Sequence, residues 1–151
     1  MNIRFYNARI LSMKDGDDVY EGEVWVRGNR IDYAGPAKET DQEWDKEIDC
    51  QKNLLMPGFK NAHTHSGMTA FRSLADDLNL QDWLNNMIFP REALMTGEDI
   101  YWLTELAILE YLTSGVTLIG DMYLTPETIL DACARMGMRC DIVSGLNKFG
   151  P

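Results

Sequence analysis

The stretch Met56-Pro57-Gly58-Phe59-Lys60-Asn61-Ala62-His63-Thr64-His65-Ser66-Gly67-Met68 holds both histidines of the chain, two positions apart and shortly after a Pro-Gly. Pro-Gly punctuates the backbone, and the residues after it read as a strand. Side chains alternate along a strand, so His63 and His65 are predicted to project from one face, with Asn61 below them and Thr64 pointing away. Two imidazoles side by side on a rigid strand form half of a metal site. Taken alone, HxH is a weak signal, because polar pairs at strand ends are common.

Downstream of this strand the period changes. Thr96 with Asp99 three residues later reads as an N-cap pair, the segment that follows is rich in Leu, Ile and Ala, and Gly115 stands where a left-handed C-terminal residue belongs. A helix is predicted over 97–114. Thr117 to Tyr123 reads as a buried strand, Thr125-Pro126-Glu127 as an N-cap followed by Pro at the first helical position, and Gly137 as the next stop. Arg139 to Leu146 reads as one more strand. Strand, helix, strand, helix, strand is the order of βαβ units in a parallel sheet. If the histidine strand is the first of a parallel barrel, the pair lies at its C-terminal end, where active sites are built.

Upstream, residues 2 to about 52 read as strands and turns. Ile3, Phe5, Ala8, Ile10 and Leu11 mark a first strand, Lys14 to Asp18 a polar turn, and Val24, Val26, Ile31 and Tyr33 flank a hairpin tip at Arg27-Gly28-Asn29-Arg30. Residues 1–54 are therefore read as a small antiparallel β unit and 55–151 as the first βα units of a larger α/β domain. Asp15 to Asp18 lacks the late Glu of a calcium loop and reads as a solvated turn. A complete (β/α)₈ barrel typically needs about 250 residues, and this chain has 151. Three parallel strands also leave open edges, which a finished domain covers. The expectation is an N-terminal part of something longer.

Composition narrows the function classes. A net charge of −10 without clustered Lys or Arg argues against nucleic acid and anionic membrane surfaces. The N-terminus lacks the basic start and apolar run of a signal peptide, and no run approaches the ~18 apolar residues of a membrane span. Cys50, Cys133 and Cys140 are odd in number and lack CxxC spacing, which fits core thiols in a reducing, cytoplasmic setting. HExxH, GxxxxGK[ST], GxGxxG, GxSxG and an HxE with a later PCxxC are all absent. Catalytic zinc takes about three protein ligands, yet the chain holds only two His. Asp121, at the end of the next strand, reads either as a ligand, as a residue bracing one, or as a strand-end Asp capping its loop.

The run from Leu55 to His65 resembles the strand 1 motif PGxxNxHxH of the amidohydrolase superfamily. The continuations MTAFRSLADDLNLQDWL, FPRE and SGVTLIGDMY are similar to the branch containing 5-methylthioadenosine/S-adenosylhomocysteine deaminases, guanine deaminase and the s-triazine chlorohydrolases. The resemblance implies a TIM barrel of which about three strands are present, a small β-sandwich built from both chain ends, and one divalent metal, zinc or iron. It implies His63 and His65 as the first two ligands, and places the remaining ligands and the proton-transfer carboxylates beyond Pro151. Asn61, where many hydantoinase-like relatives carry Asp, fits the mononuclear deaminase branch.

Two further positions bear on substrate. Glu92 matches a Glu that accepts from ribose hydroxyls in nucleoside-accepting members, its alternative being an exposed loop charge. Trp83 resembles a pocket-wall aromatic, and otherwise anchors the long loop. Ser144 stands where some S-adenosylhomocysteine-accepting members carry an Arg, and a Ser cannot pair with a carboxylate. The implied activity is hydrolytic deamination of an amino-substituted heterocycle or nucleoside, with the rest of the barrel as an obligatory partner. The competing readings are a chlorohydrolase of the same fold and a non-catalytic module that pairs with another chain. An open sheet edge would also favour self-association.

Overall fold

The computed structural model describes residues 1–14, 16 and 18–143. The chain divides into two compact units, Met1–Pro57 and Gly58–Pro151.

The first unit is a five-stranded sheet. Strands β1 (Asn2–Ile10), β2 (Tyr20–Arg27) and β3 (Arg30–Gly35) run antiparallel, and the hairpin tip between the last two turns at Gly28 with φ 63°. The sheet is not wholly antiparallel, as the alternation of its first strands implies: β4 (Lys46–Asp49) and β5 (Leu54–Leu55) both join β1 in parallel. Their runs of four and two residues are too short to show a period. Central β2 is buried on both faces. Val24 joins Ala8 and Ile10 in an apolar cluster. Glu23, fully buried, accepts from Arg4 Nε and Nη2 at 2.8 and 2.6 Å and from the Lys38 amide at 3.2 Å. These donors make the burial of a charge tolerable. Lys38 lies 4.5 Å from the Trp25 ring centre and 3.9 Å from that of Tyr33, holding the segment after β3 by cation–π contact.

The second unit is the βαβ series. Strands β6 (Phe59–Thr64), β7 (Val116–Met122) and β8 (Arg139–Val143) form a parallel sheet in that order. After β6 the chain enters a 3₁₀ turn (Ser66–Phe71). It then forms a continuous helical run made of α1 (Leu80–Asp82), a π-helical segment (Trp83–Ile88) and α2 (Phe89–Glu92). Helix α3 (Gly97–Thr113) starts at the expected capping box, with both Thr96 and Asp99 bonds present, and Gly115 follows at φ 84°. The Thr96 hydroxyl and amide hold the Asp99 carboxyl below its usual range. Ile100, Thr104, Ala107 and Ile108 face the core at helical spacing. Ile100 and Ile108 join Ile119 of β7 and Ile129, Ala132 and Cys133 of α4 (Pro126–Met136) in one apolar cluster.

One capping expectation fails. Pro126 is at the helix start as predicted, but Thr125 is left-handed (φ 47°) and its side chain makes no cap bond. Gly137 closes α4 at φ 70°. Strand β8 is described through Val143, and the rest of the predicted strand lies outside the described residues. Among the described residues no helix is long and apolar enough to cross a membrane.

The β6–β7 ladder is irregular where it matters. Asn61 pairs with Ile119 but Thr64 pairs with Asp121, so β6 carries one extra residue opposite β7. Such a bulge re-aims side chains. It also brings the backbones close: a Cβ at Gly120 would lie 2.9 Å from the Ala62 carbonyl oxygen. Backbone cannot swing aside as a side chain can. Gly120→Ala should therefore destabilise the protein by about 1–3 kcal/mol, read by urea unfolding, and wild-type stability would show that the two strands can part freely.

Candidate metal centre and its cavity

The bulge decides where the histidines go. Strand β6 stops at Thr64, so His65 is not in the strand, contrary to the expected HxH strand pair. Its backbone (φ −134°, ψ 71°) leads into the 3₁₀ turn. Alternation nevertheless persists, with Thr64 and Ser66 buried while His63 is exposed and His65 half-buried. The rings stand at 82° with centres 4.8 Å apart, and the two Nε2 atoms are 3.1 Å apart.

That separation can be compared with what one ion requires. Two nitrogens each about 2.0–2.1 Å from an ion in a tetrahedral shell stand about 3.3 Å apart. The His65 Nδ1 atom lies 2.6 Å from the Met122 carbonyl oxygen. A carbonyl only accepts, so Nδ1 carries the proton and Nε2 presents its lone pair. A ring oriented in this way by a backbone carbonyl is the usual arrangement behind a metal ligand. The pair therefore fits a divalent cation. It is half of a coordination shell: among the described residues no three His, Cys, Asp or Glu side chains gather to hold a metal.

Asp121 is buried, and its bonds go to the residues on either side of His65 rather than to an imidazole. Its Oδ2 accepts from Thr64 Oγ1 at 2.7 Å, from the Ser66 amide at 2.9 Å and from the Ser66 hydroxyl. Oδ1 is buried without a hydrogen-bond partner among the described residues. The three cysteines are free. Burial, then the neighbouring Cys140, pushes the Cys133 thiol up to about 12, so it stays protonated at neutral pH and is a core residue.

His65 also lines a cavity of about 270 Å³ together with Met68, Trp83, Glu92, Tyr123 and the apolar side chains Leu84, Ile88 and Phe89. The helical run at 80–92 thus brings both substrate candidates to the histidine. Trp83 lines the cavity, and its Nε1–H donates to the Leu74 carbonyl at 3.3 Å. Glu92 lines the same cavity and is half-buried.

Tyr123 is a residue that the strand pattern alone did not single out. Its ring packs on Gly67, where a Cβ would come within 2.4 Å of Cε1. Burial, and next the Glu92 carboxylate, raise its hydroxyl pKa far above the usual value and keep it a donor. The available signal was its place, two residues beyond Asp121 at the end of the strand beside the histidines. Ser144 lies outside the described residues.

With this geometry the chain can be set beside known proteins. Residues 54–146 match the amidohydrolase family. The chain belongs to that family. This amidohydrolase chain is 40% identical over 152 aligned positions to a 5-methylthioadenosine/S-adenosylhomocysteine deaminase of Syntrophomonas wolfei, which covers 100% of the chain and 35% of that protein. It thus spans about a third of the curated relative's length. A crystal structure of an adenosine deaminase from Xanthomonas campestris with bound zinc superposes with a TM-score of 0.82 at 29% identity, covering 92% of this chain and 32% of that one. A triazine hydrolase variant gives a TM-score of 0.85 at 20% identity, covering 95% and 35%, a likeness of fold. The described part matches the N-terminal part of the family's α/β fold.

The Trp83 bond carries a consequence. Trp83→Ala should release the segment at 72–79 and speed its cleavage in limited proteolysis, with Trp83→Phe intermediate because the ring remains. Equal cleavage rates in all three proteins would show that the indole anchors nothing.

Proposed function

We propose that this chain is the N-terminal portion of a zinc-dependent aminohydrolase that deaminates a purine nucleoside of the methylthioadenosine or adenosine type. One observation carries the reading: His65, whose Nε2 stands 3.1 Å from that of His63 and whose Nδ1 is held by the Met122 carbonyl, lines the same cavity as Glu92. The deaminase relative and the zinc in the adenosine deaminase support it.

His63 and His65 hold the ion from one side, and segments outside this chain complete its shell. When bound, the ion supplies Lewis acidity and a nucleophilic water near neutral pH. Around it the chain's own residues bind and orient. The Trp83 face suits a planar heterocycle, and the Glu92 carboxylate accepts from two adjacent ribose hydroxyls. Leu84, Ile88 and Phe89 offer an apolar wall for a thioether substituent. No Lys or Arg stands among the described residues lining the cavity, so a methylthio group suits it better than a substituent ending in a carboxylate.

The carboxylates that move protons from water to the departing ammonia belong to the remainder of the barrel. In this reading β6, β7 and β8 are its first three strands, and the five-stranded sheet is one part of a β-sandwich. The substrate is a small heterocycle, and the other obligatory partner is the rest of the barrel.

The full-length enzyme should release ammonia from methylthioadenosine. Release of chloride from a chlorinated triazine, without ammonia from any nucleoside, would overturn the proposal. His63→Ala should abolish zinc retention. Glu92→Gln should lower kcat/KM for nucleosides about 10- to 100-fold, the cost of a charge-assisted hydrogen bond, while sparing free bases. Equal losses for both classes would remove the ribose assignment.

A further inference from the structure

The β6–β7 ladder loses its regular register between Asn61 and Thr64, just before His65. Backbone pairing alone therefore does not fix the imidazole. Side chains do it instead, through three consecutive residues of β7. The Gly120 carbonyl accepts from Thr64 Oγ1 at 3.1 Å, Asp121 Oδ2 from Thr64 and Ser66, and the Met122 carbonyl from His65 Nδ1. The Ser66 hydroxyl also lies 3.2 Å from the Tyr111 hydroxyl of α3. Asp121 and Ser66 are each about 1% exposed, so no water competes for these bonds.

We propose that Asp121 is a positioning residue for the metal pair, gripping the residues on both sides of His65 so that its Nε2 meets that of His63, with Tyr111 tying the grip to α3 through Ser66. The inference rests on the reading of His63 and His65 as ligands. It assigns Asp121 no bond to the ion: all three of its donors sit on Oδ2 and flank the histidine. Fixing both neighbours restricts the rotation of the His65 backbone, while the Met122 carbonyl restricts rotation of the ring. Together they prearrange the ligand, whose ordering would otherwise be a cost of each binding event.

The test uses the full-length enzyme, stripped by chelator and titrated with zinc alone in competition with a chromophoric chelator. Cobalt(II) spectra report the ligand field. Asp121→Asn, and separately Ser66→Ala, should each raise the zinc Kd about 10-fold, the low end for residues supporting a ligand, and shift the cobalt bands. Tyr111→Phe should act in the same direction by less. A merely structural Asp121 would lower the melting temperature of the metal-free protein yet leave the zinc Kd within about twofold and the cobalt spectrum unchanged in the folded variants. That result overturns the proposal. Ser66→Ala keeps the test open should Asp121→Asn not fold, since it removes only hydroxyl bonds. His63→Ala and His65→Ala separate the two readings. If they keep zinc, the ligand assignment falls and this inference with it. If they lose zinc while Asp121→Asn and Ser66→Ala do not, only the grip fails.

Discussion

Everything of functional interest in the second unit depends on how the end of β6 is tied to the end of β7. Parallel strands are joined by evenly spaced backbone bonds, and such a ladder would normally dictate the position of each side chain. Here one extra residue in β6 breaks the register, and side-chain bonds from Thr64, His65 and Ser66 to Gly120, Asp121 and Met122 take over. The exchange needs a glycine at 120, because the bulged strand passes where its Cβ would be. It also needs a buried acceptor for three donors, which Asp121 Oδ2 supplies. Irregular backbone and a buried carboxylate are both costly in isolation; together each satisfies the other.

Around this junction the packing is ordinary, which keeps the junction fixed. Helix α3 brings Ile100 and Ile108 onto Ile119 of the sheet, and α4 adds Ile129 and Cys133 to the same cluster. Opposite charges reinforce the outside: Arg72 grips Glu110 of α3 through both guanidinium Nη atoms, holding the start of the segment that follows the 3₁₀ turn. Such an exposed pair contributes little stability; its effect is to choose one conformation for a connecting segment.

Much of this was legible in the residues. Helix α3 was readable because Thr96, Asp99 and Gly115 mark both of its ends chemically, and the Pro-Gly before the histidines marked the strand. The missing parts share a physical cause. A bulge leaves no local signature, since Asn61 to Thr64 read as regular strand and the extra residue exists only relative to β7. The side-chain grip was invisible for the same reason, as Ser66 and Tyr111 are 45 positions apart. Thr125 has a capping residue's chemistry but is left-handed, a conformation set by the close joining of β7 to α4 and not by its own preference. Residues 80–92 lack any strong period, and their helical run emerges from the packing of Trp83 and Ile88.

The π-helical segment at Trp83–Ile88 gives that run an additional property. A π turn closes its hydrogen bonds one residue later than an α turn, so it holds one residue in surplus. Loss of a single codon there would restore a regular α-helix and leave the residues on either side on their present faces, because the wide turn already absorbs the surplus residue. Trp83 and Glu92, at the two ends of the run, would both go on facing the cavity. The run can therefore shorten by one residue and keep both its aromatic wall and its only lining carboxylate among the described residues, so the length of this segment is free to vary while the lining stays.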